Sequence, residues 1–179
     1  MEKKEIITER LVLRKIRESD AEYLFRNWAS DPEVTKFLTF SPHQDIEVSK
    51  KIIALWLEAE KDPKTIRFFI TIKGSDEAWG TIDVVGYPDG VPEIGYCLSR
   101  KQWGKGYMTE ACKAFLQYLF DLGFDKVEIR AHEKNIGSNR VIQKCGFTFV
   151  GKKPMDARHL AKEGMPAGCI NYYEIRKGE

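Results

Sequence analysis

Residues 99–120 read SRKQWGKGYMTEACKAFLQYLF. Gly104 and Gly106 bracket Lys105, and the chain then runs into an amphipathic segment, expected to be helical from about Thr109 to Leu122 with Gly123 as its stop. Glycine accepts positive φ and lets a ligand come close to the backbone. The amides of 104–109 can then point at one spot, beside the positive end of the helix dipole and the charge of Lys105. Such a turn suits a diphosphate, although the same glycines could serve a plain connector. The pattern G-x-x-x-x-G-K-[ST] is absent. G-x-G-x-x-G fails at its third site, Thr109. An ATP-type loop and a dinucleotide-binding turn are both disfavoured.

Working outward, 10–16 alternates as a strand, with Leu11 and Leu13 on one face. Ser19 and Glu22 predict a capping box and a helix from about Asp20 that ends by Asp31, before Pro32. A second helix fits 45–61, with Val48, Ile52 and Leu55 on its apolar face and Ile53 and Trp56 as further candidates. Strands follow at 66–73, 77–87 and 92–99, joined by short antiparallel links. After the glycine turn and its helix come a strand at 126–132, a short helix at 138–145 closed by Gly146, and two last strands, 147–153 and 169–177. The segment 154–168 between them reads as a long hairpin loop. The order β-α-α-β-β-β-α-β-α-β-β is not a repeated βαβ series, so a mixed sheet in an α+β domain is expected over 1–179.

The chain of 179 residues, 42% hydrophobic and 31% charged with net charge +2, is that of a soluble globular domain and carries no nucleic-acid signature. Cys97, Cys112, Cys145 and Cys169 have no zinc spacing and read as free structural thiols. No metal site is expected. Neither a signal peptide nor roughly 18 consecutive apolar residues is found, so no membrane span and a cytoplasmic location are expected.

A second motif, NIGSNRVIQKCGF at 135–147, places Asn135, Ser138 and Asn139 at a strand-to-helix junction. Capping alone explains such residues. A helix and a strand separate this junction from the glycine turn, which puts both at one edge of the sheet. With ITERLVLRKIRESDAEYLF near the start and EIGYCLSRKQWGKGYMTEA ahead of the helix, the sequence resembles the GNAT acetyltransferases, and within them the ribosomal-protein N-acetyltransferases of the RimJ/RimL type. The likeness covers roughly 6–151.

The resemblance implies a mostly antiparallel sheet of about seven strands, splayed between the fourth and fifth, with about four helices. It implies acetyl-coenzyme A as co-substrate and direct transfer to a primary amine: a peptide or protein N-terminus, or a small molecule. A homodimer is common among similar proteins. The family's pyrophosphate loop falls on Trp103, Gly104, Lys105, Gly106, Tyr107 and Met108, followed by Thr109. Trp103 and Met108 depart from its polar and small positions. Cys97, Leu98 and Ser99 would line the pantetheine arm, an amide around Leu98 would be the oxyanion donor, and Asn135, Ser138 and Asn139 would face them. Ile142 stands where many members carry a tyrosine acid, so Ser138 becomes the candidate for hydrogen-bonding the leaving sulfur. Glu93 is the candidate base, through water, with a solvated carboxylate as the plain alternative. Tyr96 and His132 lie near but are better read as packed or structural, and Cys97 lacks the partners of a nucleophile. An acyl-coenzyme A-binding module without turnover and a nucleotide-phosphate enzyme are the rival classes.

Overall fold

The computed structural model describes residues 4–178. One eight-stranded sheet runs through it: β1 (Ile6–Ile7), β2 (Leu11–Arg14), β3 (Arg67–Ile72), β4 (Ala78–Gly86), β5 (Glu93–Leu98), β6 (Lys126–His132), β7 (Thr148–Pro154) and β8 (Cys169–Arg176), in the order β1-β2-β3-β4-β5-β6-β8-β7. Every pairing is antiparallel except β5 with β6. That parallel pair is short. It holds only Glu93 opposite Glu128 and Ile94 opposite Ile129, and beyond these the strands part as a fork. The splay therefore lies between the two strands expected to carry it; the added strand is the two-residue β1.

Alternation along the strands divides the core. Phe68 and Ile70 face α4 (Tyr107–Asp121) and α5 (Ile136–Lys144), whereas Phe69 faces α1 (Ala21–Leu24) and α3 (Ile46–Ala59). Helix α4 buries Met108, Ala111, Cys112, Phe115, Leu116 and Leu119, an i, i+3, i+4 stripe. Each large side chain sealed there contributes about 1.5–3 kcal/mol relative to exposure. Gly123 ends the helix at φ +98°, with Gly123 N–H on Phe120 O and Phe124 N–H on Leu119 O. Gly146 ends α5 in the same way. At Gly80 of β4, an added Cβ would lie 2.2 Å from the Cys97 carbonyl oxygen, so only hydrogen fits where β4 meets the open half of β5.

Several local expectations are corrected. Helix α1 is not started by Ser19: buried Asp20 accepts the Arg17 amide at 2.7 Å and binds the Arg14 guanidinium, which favours a tight turn over Glu18–Asp20 before the helix. The helix continues past Leu24 as a π-helical stretch, Phe25–Ala29, and Pro32 does more than follow its end. It opens α2 (Pro32–Thr35), with Asp31 accepting the Glu33 amide at 2.9 Å. On α3, Ser49 and Ile53 are buried while Leu55 is 64% exposed, because the contact with the sheet falls on the other side of the apolar stripe. The 154–168 segment is not all loop: Asp156 caps a short α6 (Ala157–Ala161). Helices α4 and α5 each begin two residues earlier than expected. All four cysteines are free thiols.

Candidate active site

The fork opens where two cavities meet. The larger, about 540 Å³, runs from the glycine turn along β5 to the start of α5; the smaller, about 140 Å³, lies across the fork. Tyr96, Asn135, Ser138 and Phe37 line both.

The glycine turn borders the larger cavity. Gly104 and Gly106 have φ of +73° and +80°. The first ladder bond of α4 is Glu110 N–H to Gly106 O, 3.0 Å. The amides of Tyr107, Met108 and Thr109 thus precede the ladder as the free donors of a helix N-terminus. The Met108 side chain sits in the core. Lys105 does not line the cavity: its ammonium donates to Gln102 Oε1 at 2.9 Å. Trp103 remains 47% exposed and donates its indole N–H to Leu98 O at 2.8 Å, which pins the turn to the end of β5.

Arg10 braces the turn from behind. Its guanidinium donates to Lys105 O at 2.9 Å and to Glu110 at 2.7 Å, and it lies 4.5 Å over the Tyr107 ring. Burial alone would raise the Glu110 carboxyl, but bonds from the Thr8 hydroxyl and from the Arg10 amide and side chain hold it below its usual range. Arg10 falls within the first of the resemblance-bearing stretches, but its role could not be read there, because its partners Lys105 and Glu110 lie about a hundred residues away.

Strand parity sets what β5 offers. Glu128 N–H donates to Pro92 O across the parallel pair, and Ser99 N–H donates to Trp79 O of β4. Main-chain groups alternate sides along a strand, so those of Tyr96 and Leu98 face the fork and those of Cys97 and Ser99 face β4. The Leu98 amide is therefore turned to the open side. Cys97 lines the cavity, with its thiol pushed up to about 12, first by burial and then by Asp83. That shift disfavours the thiolate that a nucleophile needs. Ser99 is buried and lies outside the lining of both cavities.

Across the fork, Asn135 caps α5 by accepting the Ser138 amide at 3.2 Å. The Ser138 hydroxyl pairs with the Tyr96 hydroxyl at 3.0 Å. Burial, above all, drives the Tyr96 phenol well above its ordinary value, so it is a neutral donor. Asn139 is fully engaged elsewhere: it donates to His132 O and Asn135 O and accepts from Asn171 and the Tyr173 hydroxyl. Its amide ties α5 to β6 and β8 and does not line either cavity. Ile142 is buried in the core.

Glu93 sits at the closed end of the fork, outside both cavities, with its carboxylate bound by Arg130. A base needs an open path to the amine, and that pairing closes it. Arg130 itself lines the smaller cavity, together with His132 and His159. Sequence reading missed Arg130 and His159. The D-x-x-H pattern of Asp156 and His159 would have signalled the short helix that carries the latter. Among the described residues no His/Cys/Asp/Glu cluster could hold a metal, and no helix is long and apolar enough to cross a membrane.

Residues 10–148 match the profile of the family described as Acetyltransferase (GNAT) domain. An uncharacterised N-acetyltransferase, p20 of Bacillus licheniformis, is 34% identical over 149 residues, covering 82% of this chain and 83% of that one. Among solved structures, a GNAT-family acetyltransferase from Bacillus anthracis superposes with TM-score 0.82 at 24% identity, over 98% of this chain and 100% of that one. RimL, the ribosomal L7/L12 α-N-protein acetyltransferase solved with coenzyme A, superposes with TM-score 0.81 at 19% identity, over 97% and 98%.

Proposed function

The chain belongs to the GNAT acetyltransferase family, and we propose that it moves the acetyl group of acetyl-coenzyme A directly to a primary amine held across the fork. One observation carries this reading: a helix N-terminus with free amides and an open strand edge lead along one cavity to a hydroxyl pair, and a second cavity begins at that pair.

In this assignment the amides of Gly104, Gly106, Tyr107, Met108 and Thr109 receive the diphosphate, with Trp103 and Arg10 holding the turn in shape. Lys105 serves through its backbone. The open Tyr96 main-chain groups receive the pantetheine amides, and Cys97 packs beside the arm. The Leu98 amide meets the developing oxyanion. Ser138 and Tyr96 donate to the departing sulfur, and Asn135 fixes Ser138 through the cap. Ser99 and Asn139 support the strand and helix that frame the arm. Glu93 acts on the site only through Arg130. Holding both reactants in one fork supplies much of the acceleration.

The acceptor we favour is a peptide α-amine. Among the described residues no Asp or Glu lines the smaller cavity, where Arg130, two histidines and Phe37 do. A polyamine or aminoglycoside calls for free carboxylates, whereas an α-amine, with a pKa of ~7.7–8.0, arrives largely ready to lose its proton. RimL is itself an α-N-protein acetyltransferase. The test is thiol release from acetyl-coenzyme A with an alanyl tripeptide, free lysine, spermidine and kanamycin. The tripeptide should turn over fastest. Tight acetyl-coenzyme A binding with no amine-dependent thiol would return the protein to a binding module.

A further inference from the structure

His159 lines the smaller cavity and is backed from outside it by the Asp156 carboxylate, a pair that none of the steps above uses. We propose that His159 is the general base for the acceptor amine and that Asp156 is its positioning residue. The inference rests on the acetyl-transfer reading and deepens it.

His159 lines the cavity with Tyr96 and Ser138, and its side chain is only 13% exposed. Its Nδ1 lies 2.7 Å from Asp156 Oδ1. The ring donates that proton to the carboxylate, which leaves the Nε2 lone pair open. Asp156 is fixed in turn: it accepts the backbone amides of Arg158 and His159 at 3.0 and 3.2 Å and lies 3.7 Å from Arg130. The segment is fastened to the opposite wall, where the Lys162 ammonium donates to the carbonyls of Thr35 and Lys36.

The competing groups are occupied. Glu93 is held by Arg130. His132 accepts the Lys134 amide on Nδ1 at 3.1 Å, and its Nε2 reaches Pro166 O at 2.9 Å. Tyr96 is a protonated phenol paired with Ser138. The charged and titratable groups around the ring are therefore Asp156 and Arg158 on its own helix, Arg130 and His132 from β6, Tyr96 from β5 with Glu93 behind Arg130, and Tyr172 of β8 against Arg130. Phe37 and Leu38 bring no charge.

The proton account closes. The ammonium gives one proton to His159 Nε2, which passes it to solvent. The neutral amine forms the N–C bond, the C–S bond breaks, and the second nitrogen proton reaches the thiolate through the Ser138–Tyr96 hydroxyls. The sum is amide, thiol and one released proton.

The test compares wild type, His159→Ala and Asp156→Asn with the alanyl tripeptide across pH. His159→Ala should lower kcat by about 100-fold near pH 7. The deficit should shrink to about fivefold or less near pH 10, where the amine is already neutral. Added imidazole should restore part of the rate, and calorimetric acetyl-coenzyme A affinity should stay within about twofold of wild type. Asp156→Asn, which retains the helix cap, should lower kcat about tenfold and keeps the test alive if His159→Ala does not fold. A deficit constant across pH, or none, overturns the assignment while acetyl transfer stands. A wild type that releases no thiol with any amine sinks the transfer reading itself, and the base with it.

Discussion

The two cavities that meet at Tyr96 are built from different materials. The larger draws on three short stretches, 33–37, 96–109 and 134–144, and includes main-chain features: the free amides at the start of α4, the open edge of β5 and the capped start of α5. The smaller is made of side chains from separate segments, with Phe37, Arg130, His132 and His159 brought together only by the fold. A site made of backbone needs permissive residues at fixed spacing and binds a generic feature such as a diphosphate. A site made of side chains can change its ligand without disturbing the frame. The difference teaches that damage on one side should be separable from damage on the other.

Gly106→Val is the strongest way to break the larger side alone. A β-branched residue at φ +80° is strained, and its Cβ would press Arg10 Nη2 at 3.3 Å. Acetyl-coenzyme A should bind about 100-fold more weakly by calorimetry, equivalent to about 2.7 kcal/mol. An unchanged constant would remove the turn from the site. Tyr96→Phe cuts at the junction instead. It removes the hydroxyl 3.0 Å from Ser138 Oγ and keeps the ring. The expected result is a kcat about 10–100-fold lower with acetyl-coenzyme A affinity unchanged. If the rate holds, the hydroxyl only packs, and the leaving sulfur relies on Ser138.

The same contrast explains what could be read in advance. The glycine turn and the Asn135 motif announce themselves because Gly104, Gly106 and the Asn135 cap are demanded by backbone geometry within a few residues. The fork was legible only through the family resemblance, which implied a splay between the fourth and fifth expected strands. Glu93 misled because sequence shows where a carboxylate starts a strand but not that Arg130, 37 residues on, neutralises it. Asn139 misled because its four partners lie on β6, α5 and β8. Tyr96 was underrated because its worth depends on Ser138, which only the splay brings to it. Leu55 went astray for a simpler reason: an apolar stripe on α3 wider than its contact with the sheet leaves one edge to solvent.

Arg10→Ala sharpens the comparison at lower amplitude. Arg10 touches the turn through Lys105 O, Glu110 and the Tyr107 ring, yet no part of the smaller cavity. Its loss should loosen the turn's preorganisation and raise the acetyl-coenzyme A dissociation constant about three- to tenfold, with kcat at saturation unchanged. A fall in kcat at full saturation would mean that the two sides are mechanically coupled after all.

The smallest effect belongs to the smaller cavity's wall and concerns stability rather than rate. Burial pulls the Asp156 carboxyl up, but bonds from the His159 ring and amide and from Arg158 outweigh it and hold the group below the ordinary carboxylate range. A carboxyl depressed in the folded state stabilises fully above its unfolded pKa of ~3.9, and that contribution drains away as pH falls below it. Asp156 is about one-third exposed, so solvent screens the gain. Between about pH 6 and pH 3, the wild-type Tm should fall about 1–2 °C further than that of Asp156→Asn, which has no such carboxyl to protonate. Equal slopes would mean that the pair contributes nothing to holding α6 against the fork. The wall of the smaller cavity would then owe its position to the Lys162 clasp on α2, and the alanyl tripeptide's KM, more than the fold, would be the place to look for an acid effect.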